Sequence, residues 1–139
     1  MAKNILGFIV GFLVAGTVVG IVEGIGHAVY PPPAGMDPND PESIRAYLAE
    51  IPFGAMLFVV GAWIIGTGAG AYAATRIAKT APRATAFAVG ALMLLTSVYM
   101  MIIIPSPLWF KITALIGVPL AAAVPALSTR ATPQPRTDA

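Results

Sequence analysis

The chain is predicted to be an all-α integral membrane protein, an up-and-down four-helix bundle with a short amphipathic helix in its first extracytoplasmic loop. Of its 139 residues 58% are hydrophobic and 10% charged, with a mean hydropathy of +0.83, whereas roughly a quarter of the residues in a soluble domain are charged. Four stretches, 5–30, 52–75, 85–104 and 108–127, are each long enough to cross a hydrocarbon layer of about 30 Å as a helix. They are apolar almost without interruption, unlike membrane strands, which alternate with period two over about ten residues. The connections 78–84 and 105–107 are too short for crossovers, so neighbouring spans should run antiparallel.

In the first span, Lys3 ahead of an apolar run is also how a secretion signal begins. This run is longer than the roughly 7–15 residues of a signal core, carries Glu23 and His27, and lacks a convincing small-x-small cleavage site, so it is expected to be retained. Glycines at Gly7, Gly11, Gly16, Gly20 and Gly24 are matched in the second span by Ala62, Gly66, Gly70 and Ala74. Such spacing lets helix backbones approach closely where no hydrophobic drive exists between helices. Helices 1 and 2 are therefore expected to touch along these stripes, with Gly16, Gly20, Gly24, Gly66 and Gly70 as packing positions. At about 100° per residue, Gly16, Gly20, Glu23, His27 and Tyr30 fall within roughly 80° of one another, which would put the polar pair on the close-packed stripe.

The first loop opens with Pro31, Pro32 and Pro33, which stop a helix and favour an extended path. Asp40, Pro41 and Glu42 then read as an N-cap, a first-turn proline and an acidic first turn, opening a helix over 41–50. Ile44, Tyr47, Leu48 and Ile51 make one apolar face, fitting either a lid over the bundle or a helix lying on lipid. In the third span, Thr96, Ser97 and Tyr99 can bond to backbone carbonyls or across helices. Pro105, Pro107 and Trp109 mark a tight outer turn with an interfacial anchor, and Pro119 and Pro125 should loosen the fourth span. A single transmembrane domain thus covers 1–128, and 129–139 reads as a flexible cytoplasmic tail.

The pI near 9.2 reports topology here, and no nucleic-acid partner is expected. Lys3, Arg76, Lys79, Arg83, Arg130 and Arg136 fall on one side of the four spans, and only Arg45 and Lys111 on the other. The positive-inside rule then places both termini in the cytoplasm of a bacterial-type inner membrane. Without cysteine, disulfides, thiolate catalysis and cysteine-ligated metals are excluded.

Charges at membrane depth are costly and usually functional, which singles out Glu23 and His27, one helical turn apart, with Tyr30 nearer the surface. Glu23 lies roughly 10 Å below the outer end of its helix. Burial and the attraction between the pair act in opposite senses on protonation, so sequence fixes neither state. The pair can exchange a proton or hold a cation, or Glu23 can be a structural pin, paired across helices or with Lys111. Metal ligation by Glu23, His27, Asp37 and Asp40, with Glu42 nearby, is a third use, although turn and cap chemistry accounts for the loop residues more simply. No nucleophile elbow, phosphate loop, dinucleotide fingerprint or zinc-protease helix occurs, so catalysis is not expected and no cofactor is required. The sequence leaves two roles open: an accessory or assembly subunit of a larger membrane complex, or a proton- or cation-coupled transporter acting as a homo-oligomer.

Overall fold

The computed structural model describes residues 1–37 and 39–129; the part of the expected tail from 130 to 139 lies outside the described residues. Among them every regular element is a helix: α1 (Ala2–Val29), α2 (Pro41–Glu50), α3 (Phe53–Ile77), α4 (Pro82–Ile103) and α5 (Leu108–Ser128). All but α2 are long and apolar enough to cross a membrane. Their outward positions carry Leu6, Leu13, Ile65, Leu95, Ile116 and Leu120, each roughly half exposed or more. In water such a surface would aggregate; in a bilayer it faces the solvent to which it is matched.

The chain runs up and down. α1 packs antiparallel on α3: positions 7, 11 and 26 of α1 lie against 78, 70 and 58 of α3. α3 and α5 run parallel, Ile64 against Gly117 and Gly68 against Ala121, and α4 closes the bundle against α5 where Gly90 meets Ala122. α3 thus contacts all three other spans, while α1 rests on α3 and α4 alone.

The spans are joined by small residues. A Cβ added at Gly11 would fall 2.7 Å from the Gly70 carbonyl oxygen and 3.1 Å from Val89 Cγ2, so α1, α3 and α4 meet there with no room for a side chain. Ala15, Ala71, Ala74, Ala86, Val89 and Ala122 are all 0–1% exposed and close the bundle around this point. Close backbone approach supplies the dispersion contacts that hold helices together in lipid. The contact stripe of α1 is therefore Gly7, Gly11, Ala15 and Gly26. Gly16, Gly20 and Gly24, expected at the contact with the second span, have no other helix within 4 Å of the Cβ position. The physical reason is that α1 carries two small-residue faces, and the one that aligns with Gly70, Ala74 and Ala78 excludes the other.

Polar groups at the two ends finish the elements. Asp40 caps α2, its carboxylate oxygens accepting from Glu42 N at 3.2 Å and Ser43 N at 3.1 Å. At the opposite end, Asn4 Nδ2 donates to Thr80 Oγ1 at 2.7 Å, tying the start of α1 to the α3–α4 turn. Arg83 donates from Nε and Nη2 to the carbonyls of Ala126 and Thr129, satisfying groups that the end of α5 leaves open. α5 continues through Pro119 and Pro125. The Ala121 carbonyl, deprived of its helical partner by Pro125, faces Gly68 of α3.

Candidate functional site

Above the Gly11–Val89 contact, α1 and α4 enclose a cavity of about 440 Å³ at the α2 end of the bundle. Phe12, Gly16, Val19, Glu23 and His27 form its α1 wall, recurring every three or four residues along one face. Met93, Ser97 and Met101 face them from α4, Met56 and Trp63 come from α3, and Phe110 from α5. Tyr47, Leu48 and Ile51 cover the end. The apolar face of α2 is thus turned over the bundle as a lid. Among the described residues no Cα of α2 comes within 8 Å of another helix, and Tyr47 and Leu48 are the α2 residues that line the cavity.

Glu23 stands at the polar end of this space. Trp63 Nε1 donates to Glu23 Oε1 at 3.2 Å, and among the described residues Oε2 has no hydrogen-bond partner. The ring of Trp63 is itself held edge-on against Phe110, centroids 5.4 Å apart. His27 reaches back along its own helix, with Nδ1 2.8 Å from the Glu23 backbone carbonyl. A carbonyl only accepts, so this contact requires a proton on Nδ1, and among the described residues Nε2 has no hydrogen-bond partner. The carboxylate of Glu23 therefore binds Trp63, while His27 binds the Glu23 backbone.

The other expected site residues are placed as follows. Tyr30 packs edge-on against Phe58 and shares with Glu23 and His27 a small side pocket under Tyr47. Lys111 makes no side-chain bond to Glu23 among the described residues, and Trp63 takes the place foreseen for it. Gly16 lines the cavity, Gly20 and Gly24 are exposed, and Gly66 and Gly70 back onto α1 at Ala15 and Gly11. The metal grouping is not assembled: among the described residues no three His, Asp or Glu side chains come together. Asp37 Oδ1 accepts from Asn39 N at 2.8 Å and Asp40 is spent on its cap, as local turn chemistry demands.

Most remaining polar atoms of the lining are used up locally. Thr96 and Ser97 donate to Leu92 O and Met93 O, and Ser106 donates to Ile104 O. Trp63 is the contributor that spacing did not reveal, because spacing along α1 says nothing of which side chain a neighbouring helix turns toward Glu23. An aromatic donor in an otherwise apolar span, facing a small-residue stripe, was the available signal. Fold and site together define a class, a polytopic helical membrane protein with a carboxylate inside an apolar span, beside a cavity between helices. No protein-family model, curated protein or solved structure matches the chain.

Proposed function

We infer that the chain handles a proton or a cation at Glu23 and His27. The observation that supports this reading is that both side chains line a cavity of about 440 Å³, with Glu23 Oε2 free to receive a ligand. A structural pin would instead be sealed on all sides by packed residues. With α1 centred in the bilayer, Glu23 lies roughly 11 Å from the midplane, inside the hydrocarbon layer, and His27 lies near its edge. The pair then forms a short ladder from the membrane surface inward, the arrangement that proton pathways use. The excess of Lys and Arg at the opposite end supports an orientation with that surface outside the cell and both termini in the cytoplasm, and a bacterial-type inner membrane is part of the same proposal.

In this conformation the cytoplasmic half is closed around Gly11, so passage across the membrane requires α1 to move against α3 and α4. The test is reconstitution into liposomes holding a pH-sensitive dye, with a potassium diffusion potential as driving force. Wild-type protein should carry protons well above the protein-free leak, Glu23→Gln should return the flux to that leak, and His27→Ala should lower it. Flux equal in wild type and Glu23→Gln would sink the reading. The accessory role keeps one observation of its own: the most apolar window of α1 is only 17% buried, against 33% for each other span. An exposed helix of this kind can join a second copy or a larger complex, and the absence of flux together with co-purifying membrane subunits would favour it.

A further inference from the structure

We propose that the α1–α4 cavity is a binding site for an amphipathic organic cation, an ammonium group on an aromatic or alkyl body, taken up sideways from the membrane. This rests on the reading of Glu23 as a cation site and names the class of cation. Three independent features of the cavity converge on it.

The first is charge. Among the described residues Glu23 is the only acidic lining residue, no lysine or arginine lines the space, and His27 is the one other lining residue that can carry charge near neutral pH. With the hydroxyls of Thr96, Ser97 and Ser106 occupied by backbone carbonyls, the carboxylate dominates what a ligand's polar end would meet. A carboxylate in apolar surroundings gains most from a ligand that brings the opposite charge. The second is the apolar lining. Four of the six methionines in the chain, Met56, Met93, Met100 and Met101, line this one cavity, with Trp63 and Phe110 beside them. Methionine side chains re-pack around ligands of different shape, and aromatic faces attract cations. A hydrated metal ion or a proton has no use for such a lining; an organic body does. The volume lies within the range of roughly 300–1,000 Å³ common for small-molecule sites.

The third is access. α1 touches α4 at Gly11 and Val89, whereas at Gly16, Gly20 and Gly24 further along no other helix comes within 4 Å of the Cβ position. Thr96 and Met100 on the facing edge of α4 are exposed while lining the cavity. The gap between the two helices therefore opens toward lipid, and the α2 lid covers the aqueous end. An amphipathic cation concentrated in the bilayer reaches Glu23 by this side route without crossing the lid.

A matched pair of probes tests the idea. Benzyltrimethylammonium and neopentylbenzene have the same shape and differ by one charge. Trp63 lines the cavity and Trp109 does not, so in a Trp109→Phe background Trp63 fluorescence reports the site. In phosphatidylglycerol nanodiscs, with affinities referred to the concentration in the lipid phase, the cation should bind about tenfold or more tightly than its neutral isostere. Glu23→Gln should erase that preference and Glu23→Asp should retain part of it. Equal binding of the two probes by wild type overturns the proposal even if no variant folds, as does a preference that survives Glu23→Gln. If either result accompanies Glu23-dependent proton flux, the organic-cation inference fails alone; Glu23-dependent cation binding without any flux removes only the transport reading. Repeating the titration in phosphatidylcholine separates two sources of the ammonium group: weaker probe binding there assigns the site to a lipid headgroup, and unchanged binding assigns it to a free amine.

Discussion

An indole N–H inside a bilayer has few acceptors to choose from, and Trp63 takes a carboxylate oxygen of Glu23 at 3.2 Å. That bond links α1 to α3 at the one acidic residue of α1. In lipid the net worth of such a bond is modest, because an unfolded helix also finds partners. A double-mutant cycle of Trp63→Phe and Glu23→Leu, measured by reversible unfolding in mixed micelles, should give a coupling of about 1 kcal/mol. A coupling near zero would mean that the bond is not made in the folded protein. Glu23 and His27 were legible in the sequence because ionisable residues are rare in apolar spans. Trp63 was not, because helical spacing gives angles around one axis and says nothing of how two helices are rotated against each other. The same gap explains Lys111, which depth alone made a partner for Glu23 and which the structure leaves unbonded to it.

At the scale of the elements, hydropathy located every span to within three residues at each end. The differences have a cause. Apolar runs stop at the first polar side chain, whereas a helix continues while its backbone can bond, through Lys3 and Asn4 in α1 and back to Pro82 in α4. The α2 start was readable for a different reason, since Asp40 followed by proline is a local signal that needs no tertiary contact. The packing face of α1 was not readable, because glycines repeat on two of its sides and only three-helix packing chooses between them. That choice makes a paired prediction. At Gly11 a new Cβ would lie 2.7 Å from the Gly70 carbonyl and 2.9 Å from Ala74 Cβ, both on a packed helix. Gly11→Ala should therefore force α1 off α3 and cost about 1–3 kcal/mol, the usual price of overpacking. Gly20→Ala meets nothing within 4 Å and should be neutral or slightly stabilising through better helix propensity. Thermal unfolding of the two variants in one detergent decides the matter, and equal losses would place the contact on the wrong face.

For the whole molecule, the two ends differ in kind. One carries the tight α3–α4 turn, the Asn4–Thr80 bonds and the Arg83 cap on α5; the other carries the proline-rich loop, the lid and the cavity mouth. Anchoring is concentrated where the bundle is closed, and the cavity opens where the spans are held mainly by aromatic contacts such as Phe53 with Trp109. In an asymmetric body of this kind, the end that faces the cytoplasm decides on which side of the membrane the lid lies. By the positive-inside rule, Arg76, Lys79 and Arg83 beside the α3–α4 turn bias that end toward the cytoplasm, and acidic residues such as Asp37 and Glu42 count for little. Because the chain has no cysteine, a single introduced thiol is a unique reporter. Ala34 and Ala2 are exposed at opposite ends of the bundle. In intact cells a membrane-impermeant maleimide should label Ala34→Cys and leave Ala2→Cys untouched until the membrane is opened. The reverse pattern would put the lid in the cytoplasm, and the proton or cation proposed for Glu23 would then come from the cell interior.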